Sequence, residues 1–291
     1  PGDYNPERII IDKTGTTIPS VKVSDQFTSP LVGVMDYDEC NFNVRLTQSA
    51  TATRPTLSQE TIVTPMAGEL TIATFNLENL SAKSSQSKFT NLAAEIVVNL
   101  KAPDLIAVEE IQDNNGLSCT PDGEVTASDT WAYLISAVHA AGGPTYDYRQ
   151  IDPEDNQDGG APCGNIRQGF LFRTDRGLGF IDRPGATATT AVTVTMGTDG
   201  PQFSYSPGRI DPTNPAFTNS RKPLAGEFMF KGQHFFVIAN HFNSKAKDDP
   251  SNALSGDDPL FGRWQLPILY SEPQRIQQAA VVNSFVNSIL A

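Results

Sequence analysis

The sequence predicts an α/β (α+β) protein, with two packed β-sheets flanked by helices and a smaller β-rich segment in front of them. Apolar, strand-like runs alternate with stretches of helical periodicity from about Leu70 onward. The 22 Gly and 21 Pro indicate many turns between these elements. Residues 1–67 have a different character, because their short β-type runs show no helical periodicity.

The first 67 residues are predicted to form a small β module that ends in a linker or extended arm. Short runs rich in Val, Ile and aromatic residues occur at 8–12, 31–35 and 42–46. A Thr/Ser/Pro-rich stretch at 47–65 then precedes the first long apolar run. We therefore divide the chain into a β-rich segment, 1–67, and a larger domain, 68–291.

In the larger domain, helices are interleaved with strongly apolar strands. The predicted strands are Leu70–Asn76, Leu105–Ile111, Gly169–Arg173, Leu224–Phe230 and Phe235–His241. One amphipathic helix is predicted over Gln86–Lys101, and a second from an N-cap at Ser128 to the pair Gly142 and Gly143. A last helix begins near Ser271, with Pro273 in its first turn.

Hydropathy excludes a membrane-spanning protein, and net charge weakens the case for a stable DNA-binding module. No apolar run approaches the roughly 18 residues that a membrane span needs, so we expect none. The net charge of −12 has the wrong sign for a protein that holds nucleic acid by overall electrostatic attraction. An enzyme that meets phosphate through a bound cation and a few local Arg or Lys is still compatible with it.

The three cysteines allow one disulfide. A bridge between Cys119 and Cys163, with Cys40 left free, is what a secreted protein would have. The alternative is three separate thiols.

Three predicted strands end in a polar residue that a buried strand does not need, namely Asn76, Glu110 and His241. Each has a structural alternative: the Asn as a turn cap, the Glu in an ion pair, and the His as a satisfied structural residue. Polar groups at the ends of buried strands are costly unless satisfied, and active sites are commonly assembled at one edge of a sheet. Their joint placement therefore favours a functional site.

Five motifs resemble, in order and approximate spacing, those of the endonuclease/exonuclease/phosphatase (DNase I-like) family. The similarity is closest to its secreted bacterial ExeM/NucH-type extracellular nucleases. The motifs are TIATFNLENL (71–80), PDLIAVEEIQDN (103–114), GNIRQGFLFR (164–173), NSRKPLAGEF (219–228) and FFVIANHFNSK (235–245).

This resemblance implies a metal-assisted phosphodiesterase site. Glu110 resembles the family's metal-binding carboxylate, and Asn76 resembles the first-strand Asn that lies beside the metal. The expected metal is Mg²⁺, with Ca²⁺ or Mn²⁺ as alternatives. His241 resembles the His that touches the scissile phosphate as general acid/base or phosphate stabiliser. Residues implied to contact substrate are Arg221, Arg167, Asn243 and Lys245.

The activity implied is that of an extracellular or periplasmic bacterial nuclease acting on DNA, with RNA as a second substrate. Within the same fold, a phosphatase or a lipid phosphodiesterase is the alternative. A non-catalytic interaction module that kept the fold is the alternative from another class.

The sequence departs from the family in two places. Neither a Gly-Asp-x-Asn nor a Ser-Asp-His motif follows Lys245, although members carry both near their C-terminus. We therefore expect a domain that lacks its C-terminal strands, that is inactive alone, and that needs the missing segment to complete its site. At the other end, NPERIIID (5–12) resembles the last part of an OB-fold-like module, so we expect residues 1–67 to be its remnant.

Overall fold

The computed structural model describes residues 9–12, 15–38, 41–54, 57–118, 122–244 and 271–291. They form two compact units, one within Pro1–Gln59 and Ser244–Pro273, the other within Glu60–Asn243 and Gln274–Ala291. The molecule is mixed α/β and rich in sheet, as the sequence predicts. The division at 67 and the OB-like character of the first segment stay predictions.

The described residues of the first unit form five short strands. The central strand β4 (Asn41–Leu46) pairs in parallel with β1 (Ile10–Asp12) and antiparallel with β3 (Gly33–Asp38). A second, two-stranded sheet joins β2 (Gln26–Phe27) to β5 (Ala52–Thr53). The last of these strands lies within the stretch that we predicted to be a linker.

The second unit contains a four-stranded sheet in the order β6-β7-β9-β8. β6 and β7 are parallel and the other pairs antiparallel. The four strands are β6 (Ile72–Leu80), β7 (Leu105–Ile111), β8 (Tyr146–Gln150) and β9 (Arg167–Arg173). β7 has the predicted bounds, because the apolar run Leu105–Val108 begins it and Ile111 ends it.

A second sheet in this unit is built around β14 (Leu224–Phe230). Its neighbours are β10 (Leu178–Phe180), β13 (Gly208–Arg209) and β15 (Gln233–Ala239), all antiparallel to it. A separate hairpin pairs β11 (Val194–Gly197) with β12 (Gly200–Phe203). β15 ends two residues before His241, so the predicted end of this strand was wrong and His241 lies in the loop that follows.

Helices cover the outer faces of the two sheets. They are α1 (Gln86–Ala94), continued by a π-helical turn (Glu95–Asn99), α2 (Ser128–Ala140) and α3 (Glu272–Leu290). A short 3₁₀ turn, Pro215–Phe217, precedes β14. Ser128 is not the N-cap of α2 as we predicted, because the side-chain oxygen of Asn114 accepts the N–H groups of Asp129 and Thr130 instead, at 2.8 and 3.3 Å. Among the described residues, no helix is long and apolar enough to cross a membrane.

The core of the second unit has three parts. Side chains of β6 and β7 pack against α1 and α2 around the fully buried Trp131. Aromatic side chains of β9 and β14 meet between the two sheets, where the Phe170 and Phe228 rings lie 5.4 Å apart. On the far side of the second sheet, α3 packs through Val281, Phe285 and Ile289.

Candidate active site

The site begins where β6 bends. The Asn76 side-chain oxygen accepts the N–H of Glu78 at 2.8 Å, which is the turn-capping role that we weighed as its structural alternative. Glu78 and Asn79 then take the left-handed backbone conformation, with φ of 52° and 56°. This bend aims the backbone N–H of Asn79 across to the next strand, where it meets Glu110 at 3.1 Å.

Glu110 is held in an unusual conformation at the end of β7. Its φ is 61°, and the strand pairing shifts register around it on both sides. A non-glycine residue in this region is uncommon and typically marks a functional constraint. One carboxylate oxygen accepts the Asn79 N–H, and the other lies 3.6 Å from Nε2 of His241.

His241 meets Glu110 from the loop after β15. The 3.6 Å between the two side chains exceeds a hydrogen bond, and Nδ1 of the ring is buried with no partner among the described residues. Burial, helped by the positive charge of Arg221, lowers the pKa of His241 to about 4. The imidazole is therefore neutral at neutral pH, with a lone pair free to accept a proton.

Arg221 supplies a buried positive charge to the same group. Its side chain is about 2% exposed, Nη2 donates to the carbonyl of Phe242, and Nε has no hydrogen-bond partner in the described part of the chain. Burial lowers its pKa, while the negative charges of Glu110, Asp158 and Glu109 oppose that effect. Glu110 of β7 and His241 of the loop after β15 thus both interact with the same buried guanidinium, that of Arg221.

Glu109 belongs beside this group and was missed by the sequence analysis. Burial raises the pKa of its carboxyl, with a contribution from the negative charge of Glu110, although the Thr74 hydroxyl donates to it at 3.0 Å. Consecutive side chains of a regular strand point to opposite faces, so a regular strand would not bring two adjacent Glu to one site. The left-handed backbone at Glu110 breaks that alternation, and no sequence pattern reveals it.

One glutamine side chain ties the backbone of His241 to that of Lys222. With its amide oriented so that both groups are satisfied, Gln168 accepts the N–H of His241 at 3.1 Å and donates to the carbonyl of Lys222 at 3.2 Å. Gln168 is itself buried, on β9. The first sheet therefore also fixes the loop that carries His241.

Arg167 does not join this group. Its side chain is about 1% exposed, and it donates to the carbonyls of Asn165 and Val125 and, at 2.7 Å, to the carboxylate of Asp152. Burial lowers its pKa to about 10. Its guanidinium is used to hold loops together, so the predicted contact with substrate gains no support from its position.

The other predicted residues lie beside this group or outside the described part of the chain. Asn243 is anchored to α3, since its backbone N–H and its side-chain amide donate to Gln278 and Gln274 at 2.9 and 2.7 Å. Lys245 lies outside the described residues. Cys163 is disulfide-bonded, but Cys119 also lies outside them, so the pairing of the two stays a prediction.

The group contains few side chains that could bind a divalent metal ion. No cluster of three or more His, Cys, Asp or Glu that could hold a metal occurs among the described residues. Glu110 offers one carboxylate, and Asn76 offers an amide whose oxygen already accepts an N–H. These donors fall short of a complete protein cage, so a Mg²⁺ ion held by them would keep most of its shell as water and substrate phosphate.

Comparison with known proteins adds little to this picture. Residues 1–56 match the family model described as a domain of unknown function (DUF8508). No curated protein sequence matches the chain. A solved structure of an endonuclease/exonuclease/phosphatase family protein from Leptotrichia buccalis C-1013-b is similar at 16% identity, with a TM-score of 0.34, over 60% of this chain and 54% of that one. The chain thus spans about half of that protein.

Proposed function

We propose that this chain belongs to a divalent-metal-dependent phosphodiester hydrolase with a DNase I-like two-sheet architecture, acting on nucleic acid, with DNA as the first candidate. The observation that supports it most is the group formed by Glu110, His241 and Arg221, in which carboxylate and imidazole lie 3.6 Å apart beside a buried guanidinium. Secretion by a bacterium is part of the same proposal.

Each side chain has a role in this proposal that follows from its chemistry. Hydrolysis of a phosphodiester needs removal of a proton from the attacking water, neutralisation of charge on the phosphoryl oxygens, and protonation of the leaving oxygen. The neutral His241 can take up a proton at Nε2, which is its ring nitrogen nearer Glu110. Arg221 places a positive charge where negative charge develops, without the cost of reorganising water.

Glu110 and Asn76 would hold the divalent cation, with Glu110 as the charged ligand. When bound, the cation supplies positive charge against a phosphoryl oxygen. The left-handed backbone at Glu110 and the Asn79 N–H fix the direction of the carboxylate, so the ligand is oriented before any cation arrives. A bound cation would also reconcile a net charge of −12 with a polyanionic substrate.

The test is cleavage of plasmid DNA, RNA and sphingomyelin by the full-length protein with Mg²⁺ and with EDTA. We expect DNA cleavage that EDTA abolishes, and a loss of kcat/KM on the order of 10²- to 10⁴-fold in Glu110→Gln and His241→Ala. Glu154→Gln is the matched control, because Glu154 is exposed and lies outside the group.

Three results would change the proposal. Unchanged turnover in either site variant would overturn the residue assignment. Cleavage of sphingomyelin without DNA would make the protein a lipid phosphodiesterase. A folded protein that cleaves none of the three would indicate a non-catalytic interaction module.

A further inference from the structure

Two glutamines of α3 lie one helical turn apart, with their side chains turned into the protein. Gln278 is fully buried and Gln274 is half-buried. Residues at i and i+4 share a face of a helix. A buried amide is costly unless its oxygen and both N–H groups find partners, so what these two side chains bind is informative.

Gln278 uses its side-chain oxygen and both of its N–H groups on two loops. Its oxygen accepts the backbone N–H of Asn243 at 2.9 Å. Its nitrogen donates to the carbonyl of Ala216 at 3.0 Å and to the hydroxyl of Ser220 at 2.8 Å. One side chain thus bridges the loop after β15 and the loop before β14.

Gln274 makes the same bridge one turn earlier. Its oxygen accepts the side-chain amide of Asn243 at 2.7 Å. Its nitrogen donates to the carbonyls of Ala216 and Thr218, both at 3.1 Å. The two glutamines together make six hydrogen bonds to these loops.

The two bridged loops carry two residues of the candidate active site. Ser220 immediately precedes Arg221, and Asn243 follows His241 by two residues. Arg221 ties the loops once more, because its guanidinium donates to the Phe242 carbonyl. The separation of Arg221 and His241 is therefore set by a rigid helix on one side of them.

Docking of α3 does not require these amides. Val281, Phe285 and Ile289 already pack the helix against the second sheet. Apolar side chains at 274 and 278 would add burial without the penalty of desolvating two amides. What glutamine supplies, and leucine does not, is a directional contact to each loop.

We propose that Gln274 and Gln278 are positioning residues that hold Arg221 and His241 in the geometry required for phosphodiester hydrolysis. The proposal rests on the function proposed above, because it assigns the pair a purpose in that reaction. Under this proposal α3 is part of the site, although Gln274 and Gln278 act only through the two loops that they hold.

The experiment replaces each glutamine by leucine in the full-length protein, with Gln277→Leu as the matched control. Gln277 neighbours both positions on the same helix and is exposed. Two quantities are measured: kcat and KM for DNA cleavage, and hydrogen–deuterium exchange of residues 215–222 and 239–244 compared with β7.

We expect kcat to fall on the order of 10- to 100-fold in Gln278→Leu, with KM little changed, as for catalytic groups displaced by about 1 Å. Exchange should become faster in the two loops and stay unchanged in β7. The Gln277→Leu protein should match the wild type in both measurements. Gln274→Leu should show the same pattern, and it decides the question alone if Gln278→Leu does not fold.

Two results would overturn the proposal. One is wild-type kcat in both variants. The other is faster exchange throughout the protein, with activity that merely follows the folded fraction, since that indicates a general structural role. If the wild type cleaves no substrate, the proposed function fails, and the exchange pattern still tells whether the glutamines hold the two loops.

Discussion

At the scale of single residues, the group around Glu110 contains features that reduce stability. Glu110 has a left-handed backbone, Nδ1 of His241 is buried without a partner in the described chain, and so is Nε of Arg221. Each such feature typically costs about 1–3 kcal/mol, and native structures retain few of them. Features of this kind also occur elsewhere in the described chain, but here three of them meet in one group of ionisable side chains.

The protonation of His241 gives a direct test of this environment. Burial and Arg221 hold its pKa at about 4, below the ordinary 6.5. Because the folded-state pKa is lowered, the neutral ring contributes stability that is complete above pH 6.5 and is lost as the pH falls towards 4. Replacing Arg221 by Gln removes the nearby positive charge, so the pKa of His241 should rise from about 4 towards 6.5.

NMR titration of the imidazole Cε1–H signals in EDTA measures this pKa, and only three histidines need assignment. His139 and His234 in the same spectra are the internal controls, since neither belongs to the group. A wild-type His241 that titrates near 6.5 would contradict the buried, neutral ring described here.

At the scale of elements, the site depends on two bends that interrupt regular strands. β6 bends at Glu78 and Asn79, and β7 shifts register around Glu110. Bulges of this kind commonly redirect a side chain next to an active site. Here they bring a backbone N–H from one strand to a carboxylate on the next.

The bend in β7 predicts an unusual order of stabilities for two substitutions. Glu110→Gly and Glu110→Ala both remove the carboxylate and its bond to the Asn79 N–H. At a φ of 61°, glycine avoids the steric cost that alanine retains, so the Gly variant should be more stable by about 1 kcal/mol. In a regular strand the order would be reversed, because glycine is the more flexible residue in the unfolded chain.

Urea unfolding of the two variants measures the difference, and both should lack activity under the proposed function. Val108→Gly and Val108→Ala, at a regularly paired position of the same strand, supply the control. A Glu110→Ala protein more stable than the Glu110→Gly protein would contradict the left-handed backbone at this position.

Elements that an apolar pattern in their own residues defines were predictable from the sequence. Features that depend on residues far away in the chain were not. β7 and β14 were predicted with their observed bounds because apolar side chains occupy most positions of each strand. The helix predicted over 86–101 instead changes to a π-helical turn after Ala94, which periodicity cannot reveal. The N-cap of α2 was missed because it comes from Asn114, outside the helix.

The same distinction applies to the site. Glu110, His241 and Arg221 were anticipated from motifs that resemble a known family, and the structure brings these three together. Glu109 and Gln278 were missed. Glu109 joins the site because of the backbone angle at Glu110. Gln278 lies on α3, 35 residues along the chain from Asn243, the loop residue that it holds.

At the scale of the whole second unit, the site depends on how its two sheets pack. Glu110 belongs to the first sheet, whereas Arg221 and His241 flank strands of the second. The sheets meet through a cluster of phenylalanines centred on Phe228. Its ring lies 4.9 to 5.8 Å from the rings of Phe170, Phe172, Phe180 and Phe235.

The Phe228 ring contacts both sheets and is fully buried, so we expect it to contribute strongly to their packing. Truncation to Ala leaves a cavity between the sheets and should lower the free energy of unfolding by about 3–5 kcal/mol. Met229 follows it on β14, points to the opposite face and is 36% exposed, so Met229→Ala should change stability by only about 0.5 kcal/mol. Urea unfolding measures both, and equal losses would show that Phe228 does not couple the sheets that carry the two halves of the site.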